Sequence, residues 1–525
     1  MRLQPIVAAA TLFALSTLPV RAQQTQHPKL NPATMRKLGT VDPRYVSYNI
    51  EMVEVTGGRF WKPYAATESE PAITPSNPNQ QVGISPNLFQ YRPPIHLDNP
   101  RLRKLATALG PAYVRVSGTW ANTTYFQNDG NPPLQKPPAG FNGVLTRAEW
   151  KGVVDFAHAV DDKIVTSVAV SAGTRNAQGL WTPDQARALF NYTKSIGGSI
   201  TASEFMNEPT FPGPGGAPTD YDAAAFARDA KLFGAFLRQT SPQTTYLGPG
   251  GVGEGVSLTA GAGRQMKRLA TEDLLKATGP IFDAFSYHFY GAVSHRCMGK
   301  MTVDEAMTPE WLDRTDTVEA FYAELRDKYV PGKPMWLNET AEAACGGDKL
   351  AAQFVDVFRY LNQLGTLAQK GVQVVMHNTL AASDYGLLDE NTFNPRPDYW
   401  AALLWKRNLG SGVLDPGVPN SDTLRIYAHC ATSGKGGVAL VLLNTDRERA
   451  QTLTIPVGAE DYTLTAASLT SETVLLNGTE LTANADGTPP ALKPRPAPPG
   501  NFQLPPASVA FLVFPAAGNR SCRGL

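Results

Sequence analysis

Two glutamates stand where enzymes built on a barrel of parallel strands keep their catalytic groups. Glu208 follows the apolar and β-branched run that begins at Ile200, and Pro209 comes directly after it. Glu339 ends a second short apolar run, which starts at Pro334. Because the carboxyl ends of parallel strands meet on one face of a barrel, we expect the two carboxyl groups to lie close together there. Paired carboxyl groups in a cleft are the catalytic groups of most glycoside hydrolases.

The two carboxyl groups would divide the work of a retaining glycosidase. Such an enzyme needs them about 5 Å apart, one to protonate the leaving oxygen and one to attack the anomeric carbon. We assign the acid to Glu208, because Asn207 beside it could hold the sugar 2-hydroxyl, and the nucleophile to Glu339. A single glutamate at a loop edge more often caps a helix or pairs with a lysine, so only the combination of both sites favours catalysis.

Three other side chains could keep the nucleophile ionised. In the run 283–290, His288 and Tyr290 face one side and Tyr287 faces the other, by the two-residue period of a strand. A phenol or an imidazole beside a carboxylate can hydrogen-bond to it and stabilise its charged form. Arg115, in an earlier run, could do the same by its charge. The alternative for a His or Tyr in a strand is ordinary packing.

Eight short β-rich runs alternate with helical patterns between residues 45 and 410. The runs predict strands at residues 45–51, 112–119, 163–171, 200–208, 244–248, 283–290, 334–339 and 372–378. The amphipathic segments predict helices at residues 102–109, 150–160, 183–196, 222–239, 271–277, 317–329, 350–369 and 399–406. This alternation is typical of a (β/α)8 TIM barrel, an α/β fold with a parallel sheet.

The composition changes beyond the last predicted helix. Short β-rich runs at residues 424–429, 437–444, 451–456 and 508–514 are separated by Gly, Asn and Pro. They predict an antiparallel β-sandwich domain over residues 411–525. We expect the catalytic barrel to span residues 45–410 and the segment 23–44 to pack on the sandwich.

The first 22 residues have the pattern of a secretory signal. Arg2 precedes an apolar run over residues 6–18, and a small residue, Ala22, stands at the expected cleavage point. We therefore expect a secreted or periplasmic protein, the alternative being an uncleaved anchor. No later stretch of the sequence is long and apolar enough to predict a membrane span.

The cysteines and the charge balance limit the remaining possibilities. Of the four cysteines, Cys297 and Cys345 follow predicted barrel strands, and Cys430 and Cys522 lie in the C-terminal part, so we expect these two pairs to form disulfides. No CxxC or HExxH pattern accompanies them, and we expect neither a metal nor a cofactor. The chain has 47 basic and 46 acidic side chains, a balance that does not favour nucleic-acid binding.

These residues also occur in an order that resembles a known enzyme family. The triplet Asn207, Glu208 and Pro209 resembles the acid/base motif of barrel glycosidases with glutamates on strands four and seven. The ordered segments 336–340, 374–376, 385–391 and 397–400 resemble the heparanase-like enzymes of glycoside hydrolase family 79. In the predicted sandwich, the segment 426–430 resembles the family's strand whose cysteine pairs with one near the C-terminus. The resemblance covers nearly the whole mature chain.

The resemblance implies a retaining β-glucuronidase with Glu208 as acid/base and Glu339 as nucleophile. By the same matching, hydroxyl groups of glucuronic acid would contact a set of side chains that includes Glu51, Thr119 and Asn207. Asn378 occupies the position of a family glutamine that faces the site, and His288 and Tyr290 complete the substrate-binding set. The glucuronic acid carboxylate would meet Tyr385 and backbone amides, since neutral donors can bind an anion without placing a cation beside the acid/base.

The sequence departs from the family pattern at three places. The loop after the nucleophile reads Ala-Cys-Gly-Gly over residues 344–347, where the family's heparanases have an aromatic and Gly-rich loop. Ser383 stands where a glycine is usual, in a loop one residue shorter than theirs. The segment 127–147 is too short to hold the linker excised from the mammalian proenzyme, so we expect a single-chain enzyme that needs no processing.

Basic residues bear on the choice between terminal and internal cleavage. In the loops 128–142 and 210–223, Lys136 is the only basic residue. The one basic cluster expected at the rim of the cleft consists of His295, Arg296 and Lys300. Because sulfate recognition favours clustered cations, we expect a monomeric exo-enzyme acting on a glucuronic-acid-containing oligo- or polysaccharide of low sulfation. The alternatives are an endo-β-glucuronidase on heparan sulfate, a barrel glycosidase for neutral sugars and a non-catalytic carbohydrate-binding protein.

Overall fold

The computed structural model describes residues 27–64, 88–256, 268–432 and 434–523. The predicted signal, residues 1–22, lies outside the described residues. Among the helices described, none combines the length and the apolar character that crossing a membrane requires.

Eight parallel strands form a closed barrel in which the eighth strand pairs with the first. This confirms the predicted fold. The strands are β1 Val46–Glu51, β2 Ala112–Ser117, β3 Asp162–Ser167, β4 Ile200–Glu204, β5 Thr245–Gly251, β6 Ala284–Val293, β7 Met335–Ala344 and β8 Val374–His377.

One longer helix follows each barrel strand in the chain. They are α1 Pro100–Leu109, α2 Arg147–Val160, α3 Asp184–Ser195, α4 Ala223–Thr240, α5 Thr271–Thr278, α6 Arg314–Tyr329, α7 Phe354–Lys370 and α8 Pro397–Asn408. Shorter α-helices span Met52–Thr56 and Pro309–Leu312. The 3₁₀ segments are Pro32–Thr34, Thr119–Thr123, Ala172–Thr174, His295–Cys297, Glu305–Met307, Lys349–Ala352 and Arg520–Cys522.

Local sequence signals explain where several helices begin and end. Asn99 caps α1 by accepting from two backbone amides, and Pro100 occupies the first helical turn, where no amide hydrogen is needed. Thr146 and Glu149 form a reciprocal capping box at the start of α2. Helix α7 ends at Gly371, whose left-handed backbone terminates it.

The barrel interior is apolar at its base and charged above. The basal layer consists of Tyr113, Val165, Ala202, Leu247, Ala284, Trp336, Val374 and Met376. Two residues further along three of these strands, the inward positions are Arg115, Glu204 and Ser286, all buried. The apolar base therefore closes the barrel beneath a layer of ionisable groups.

A bulge on β7 determines the direction of Glu339. Tyr287 pairs with Leu337 and the next residue, His288, pairs with Glu339, so Asn338 is an extra residue in β7. Strict alternation from Trp336 would turn Glu339 away from the barrel axis. The strand also continues to Ala344, so the prediction that it ends at Glu339 was wrong.

The C-terminal part is a nine-stranded, mainly antiparallel sheet covered on one side by a two-stranded ribbon. The sheet contains Lys37–Thr40, Leu409–Leu414, Leu424–Ala431, Val438–Asn444, Ser508–Phe514, Ala459–Thr465, Leu475–Leu476, Thr479–Glu480 and Arg495–Ala497. The ribbon pairs Gln451–Ile455 with Gly500–Leu504. Outside this part lie two strand pairs, Gly58–Trp61 with Phe89–Arg92 and Thr124–Gln127 with Gly143–Thr146.

Alternating residues of the large sheet belong to two different cores. Leu440 and Leu442 pack with residues of the ribbon, whereas Val441 and Leu443 belong to the core that includes the barrel helices. Leu30 and Met35, from the N-terminal segment, lie in the ribbon-side core. The barrel therefore covers one face of the sheet, and a narrow ribbon is enough to cover the other.

Two disulfides join Cys297 to Cys345 and Cys430 to Cys522. These are the pairs that the positions in the sequence predict. The first links the segment after β6 to the residue after β7, beside the opening of the barrel, and the second ties the C-terminal 3₁₀ segment to the large sheet.

Candidate active site

A cleft of about 750 Å³ opens at the carboxyl ends of the barrel strands. Of the residues proposed from the sequence, seven line it: Glu51, Thr119, Glu208, Tyr290, Glu339, Asn378 and Tyr385. Asn207, His288 and Arg115 are buried directly beside these groups. The structure thus brings all of the predicted catalytic and substrate-binding residues together in and directly beside this cleft.

The carboxyl groups of Glu208 and Glu339 are close neighbours. Strand β4 ends at Glu204, so Glu208 lies in the loop that follows, with a left-handed backbone at φ +50°. One carboxyl oxygen of Glu208, one of Glu339 and a ring nitrogen of His288 lie within 4.8 Å of one another. This spacing matches the roughly 5 Å of retaining glycosidases and is shorter than the separation that inverting enzymes need for a water molecule.

Two hydrogen-bond donors and the His288 ring surround the Glu339 carboxylate. The Tyr290 hydroxyl donates to Oε1 at 2.7 Å, and Arg115 Nη1 donates to Oε2 at 2.6 Å. Burial would raise the pKa of Glu339, but the charges of His288 and Arg115 and the Tyr290 hydrogen bond outweigh it and lower that pKa. Glu339 is therefore ionised, as a nucleophile must be.

The environment of Glu208 acts in the opposite direction. Burial raises the pKa of Glu208 and the nearby charge of Glu339 adds to the rise, although a hydrogen bond with His288 Nδ1 at 3.1 Å opposes it. The pKa values of the two carboxyl groups are thus pushed apart. One neutral and one ionised carboxyl at close range is the arrangement that supports an acid and a nucleophile at the same pH.

Glu204 is a site residue that the sequence interpretation missed. Its Oε2 accepts from Arg115 Nε at 3.1 Å and Nη2 at 2.8 Å, and its Oε1 accepts from the Ser286 hydroxyl at 3.1 Å. Burial would raise the pKa of Glu204, yet the charge of Arg115 holds it well below the usual range. The available signal was the alternation in β4, which places Glu204 inward two residues after Ala202.

Arg115 links this buried acid to the reacting groups. Besides Glu204 and Glu339, its Nη2 donates to Asn207 Oδ1 at 2.8 Å and lies 3.3 Å from His288 Nε2. The guanidinium is almost completely buried, so its geometry is set by these partners rather than by water. Two carboxylates around one cation leave it firmly positioned against Glu339.

A second chain of hydrogen bonds crosses the floor of the cleft. Asn378 Nδ2 donates to Glu51 Oε1 and to the Tyr290 hydroxyl, both at 3.1 Å. Within the described residues, Glu51 Oε2 and Asn378 Oδ1 are buried without a hydrogen-bond partner. Burial, followed by the charge of Glu339, raises the pKa of Glu51 well above its ordinary value. Glu51 can therefore present a neutral carboxyl to a ligand hydroxyl.

Glycines make room for two of these groups. A Cβ at Gly118, whose φ is +87°, would lie 1.5 Å from Glu51 Oε2. A Cβ at Gly347, whose φ is +78°, would lie 2.9 Å from Tyr385 Cβ. Burial also raises the pKa of Tyr385 well above its usual range, so its phenol remains a donor. Thr119 begins the 3₁₀ segment that follows Gly118.

The basic cluster predicted at the rim is not formed, so this prediction was wrong. Arg296 is buried, pairs with Asp384 and lies 3.7 Å from the centroid of the Tyr64 ring. The His295 ring and backbone amide bond to Asp348. Of the three residues of the predicted cluster, only Lys300 is exposed. The reason is that Asp348 and Asp384, which are distant in sequence, bind the side chains of His295 and Arg296. These contacts hold the loops beside the cleft together.

The trio of Glu208, His288 and Glu339 also has the spacing of a metal site. However, the Arg115 guanidinium lies 2.6 Å from Glu339 Oε2 and already supplies a fixed positive charge to that carboxylate. A bound cation would have to stand beside this charge, so the geometry favours proton transfer and nucleophilic attack over metal binding.

Comparison with known proteins identifies related sequences. Residues 94–365 match the model of the N-terminal domain of glycosyl hydrolase family 79. Heparanase-like protein 1 of Arabidopsis thaliana is 26% identical over 482 residues, 82% of this chain and 86% of that protein. Heparanase of Mus musculus is 28% identical over 489 residues, 81% of this chain and 88% of that protein.

The fold has a solved counterpart as well. The structure of a 4-O-α-L-rhamnosyl-β-D-glucuronidase from Fusarium oxysporum 12S superposes with a TM-score of 0.60 at 13% identity, covering 93% of this chain and 99% of that one. At that identity the likeness concerns the fold alone, whereas the family model matches more than half of the sequence. The chain is a member of glycoside hydrolase family 79.

Proposed function

We propose that this glycosidase removes β-linked D-glucuronic acid with retention of configuration, using Glu208 as acid/base and Glu339 as nucleophile. The observation that carries the proposal is the pair of carboxyl groups, with oxygens within 4.8 Å and with pKa values shifted in opposite directions. An enzyme of this kind needs both features, and it needs no cofactor.

The reaction would proceed in two displacements. In the first, Glu339 attacks the anomeric carbon, the glycosidic bond breaks and Glu208 donates its proton to the departing oxygen. In the second, Glu208 takes a proton from water, the resulting hydroxide oxygen bonds to the anomeric carbon and Glu339 leaves. Tyr290 and Arg115 orient the nucleophile in both steps through their bonds to its two oxygens.

The proposed sugar is glucuronic acid because a neutral donor lines the cleft where an anion would bind. Burial raises the pKa of Tyr385, so its hydroxyl keeps its proton and can donate it in a hydrogen bond to the carboxylate of the sugar. Among the described residues that line the cleft, Arg59 is the only arginine or lysine. Its guanidinium donates to the Phe89 carbonyl at 3.3 Å. Glu51, Thr119 and Asn207 would contact the sugar hydroxyls. The similarity in sequence to heparanase supports the same substrate class.

We further propose exo action by a monomeric enzyme outside the cytosol. Arg296, one of the cations expected to bind sulfate at the rim, is buried in an ion pair with Asp384, which supports a substrate of low sulfation. The two disulfides fit an oxidising compartment. The second candidate is endo-β-glucuronidase action on heparan sulfate, which the similarity to heparanase favours.

The direct test is hydrolysis of an aryl β-D-glucuronide beside the matching β-D-glucoside, followed by proton NMR. We expect cleavage of the glucuronide and the β-anomer of glucuronic acid as the first product. A Glu305→Gln variant, altered at an acid outside the cleft, should behave as the wild type. Cleavage of the glucoside alone would overturn the assignment of Tyr385, first appearance of the α-anomer would overturn retention, and cleavage of heparan chains alone would favour endo action.

The pH profile offers a test of His288. The pKa of His288 is raised to about 9, because burial is outweighed by Glu339, Glu204 and Glu208, so it is charged at neutral pH. Its charge lowers the pKa of both Glu339 and Glu208. In His288→Asn both pKa values should rise, and because activity needs ionised Glu339 and protonated Glu208, both limbs of the kcat/KM profile should move to higher pH. The maximum of kcat/KM in this variant should fall by roughly 10²-fold.

The control for this measurement is His158→Asn, which changes an exposed residue of α2. Its profile should coincide with that of the wild type. If the two limbs of the kcat/KM profile move apart or shift to lower pH in His288→Asn, the proposed effect of the His288 charge on Glu339 and Glu208 would be contradicted.

A further inference from the structure

Four aromatic side chains border the cleft around the catalytic pair. Trp61 and Phe89 come from two paired antiparallel strands, Gly58–Trp61 and Phe89–Arg92, and their rings stack with centroids 4.5 Å apart and an interplanar angle of 29°. Trp120 and Phe211 come from the loops after β2 and β4. All four line the cleft and are only partly buried, so part of each ring is accessible from it. We call these four side chains the aromatic collar.

The collar is attached to the elements that hold the catalytic groups. The backbone amide of Phe211 donates to the Glu208 carbonyl at 2.9 Å, so its ring belongs to the same turn as the acid. The Trp61 side chain packs against Gly346, where a Cβ would approach Trp61 Cβ to 2.5 Å. Trp120 directly follows Thr119 and makes an edge contact with Phe60, 5.0 Å between centroids. Because Glu208 is the proposed proton donor to the departing oxygen, Phe211, in the same turn, lies on the side of the cleft from which the leaving group departs.

The charges near the collar favour an uncharged ligand. Because burial raises the pKa of Glu51 and of Glu208, the described lining of the cleft carries one ionised carboxyl group, that of Glu339, and one guanidinium, that of Arg59. Arg268 lies against the collar, 4.6 Å from the centroid of the Phe211 ring, within the range of a cation–π contact. The described lining therefore offers a densely sulfated chain no cluster of cations to bind it.

We propose that the aromatic collar is the subsite for the leaving group and that it takes an uncharged ring with an apolar face. This inference rests on the proposed function and adds the substrate class. Two kinds of ring share this chemistry, an aryl group and the C–H face of a neutral sugar, and both stack on indole and phenyl rings. The structure thus assigns to this enzyme aryl glucuronides or glucuronic acid linked to an unsulfated sugar, and not a polysulfated chain.

The test compares Trp61→Leu and Phe211→Leu with the wild type on three glucuronides. Their leaving groups are methanol, 4-methylumbelliferone and an unsulfated glucose unit. We expect KM to rise about tenfold for the substrates whose leaving group is a ring, with little change for the methyl glucuronide. A larger rise for the umbelliferyl substrate would identify the aryl group as the ligand, and a larger rise for the disaccharide would identify the sugar.

A matched control lies on the same pair of strands. Tyr91 is 70% exposed and is not among the residues that line the cleft, so Tyr91→Leu should leave all three KM values unchanged. Equal KM changes for methyl and ring substrates in the collar variants would overturn the proposal, because a loss of packing alone would produce them. Preference of the wild type for a sulfated over an unsulfated disaccharide would overturn it as well.

Binding without turnover separates this inference from the proposed function. Phenyl β-D-glucuronide added to the Glu339→Gln variant should quench tryptophan fluorescence, and the quench should be lost when Trp61→Leu is added. Quenching that depends on Trp61 in a protein that cleaves no glucuronide would sink the proposed function while supporting the collar. If the wild type cleaves the glucuronide but the quenching does not depend on Trp61, the proposed function would stand and the collar would not be the leaving-group subsite.

Discussion

Replacement of Glu339 by Gln should lower kcat on an aryl glucuronide by about 10⁴-fold or more, the scale on which enzymes lose activity with their covalent nucleophile. An amide is a poor nucleophile, and it would also leave Arg115 and Tyr290 directed at a neutral group instead of a carboxylate. The change in volume is minimal, so the fold should be retained. The measurement is kcat by fluorescence release, with thermal unfolding recorded on the same sample.

Covalent trapping provides the independent part of this test. A 2-deoxy-2-fluoro glucuronyl fluoride should react with the wild type and add one sugar to the protein mass, on the peptide that contains Glu339. No adduct should form in Glu339→Gln, while Glu305→Gln should be labelled like the wild type. Labelling of any other carboxylate, or a variant that keeps more than a hundredth of the wild-type kcat, would remove Glu339 from the role of nucleophile.

Replacement of Arg115 by Met should lower the free energy of unfolding by about 3–5 kcal/mol. This is the largest effect on stability that we expect, because Glu204 and Glu339 would remain as buried carboxylates without their cation. Activity should be lost at the same time, since the pKa of Glu339 would rise. The measurement is denaturant unfolding at neutral pH. Arg36→Met, which breaks an exposed 3.5 Å contact with Asp415, is the control and should cost less than about 0.5 kcal/mol.

The pH dependence of this difference has a definite sign. Arg115 depresses the pKa of Glu204 in the folded protein, and a depressed pKa contributes stability that is present above the ordinary glutamate range and lost as the pH falls. The stability gap between wild type and Arg115→Met should therefore narrow on acidification. The double variant Arg115→Met, Glu204→Gln should recover part of the loss. A gap that widens at low pH would contradict the assigned role of the ion pair.

Much of the architecture could be predicted because it follows from local patterns. The barrel strands are buried apolar runs, and the helices between them carry caps and amphipathic faces, as at Thr146 and Gly371. Glu208 and Glu339 could be chosen because each follows such a run. The second layer of the C-terminal part was less predictable, since a ribbon of two strands suffices when barrel helices cover the other face of the sheet.

The geometry within the site depended on contacts between distant residues. No local signal shows that Asn338 is the extra residue of a bulge, yet this bulge directs Glu339 into the barrel. Glu204 became a site residue only once Arg115 was placed across the barrel from it. Likewise, the charge of Arg296 is neutralised by Asp384, which arrives in another loop. Such pairings depend on register and topology, which a linear pattern does not contain.

The order of pairing in the two sheets bears on biosynthesis. Strand β1 is hydrogen-bonded to β8, and Lys37–Thr40 is hydrogen-bonded to Leu409–Leu414, so the earliest segments of the chain pair with segments made much later. The central strand Val438–Asn444 in turn requires Ser508–Phe514. Contacts this distant form slowly, and neither sheet can close on a nascent chain that is still short. Neither sheet can therefore reach its native pairing before the last of these strands has been synthesised.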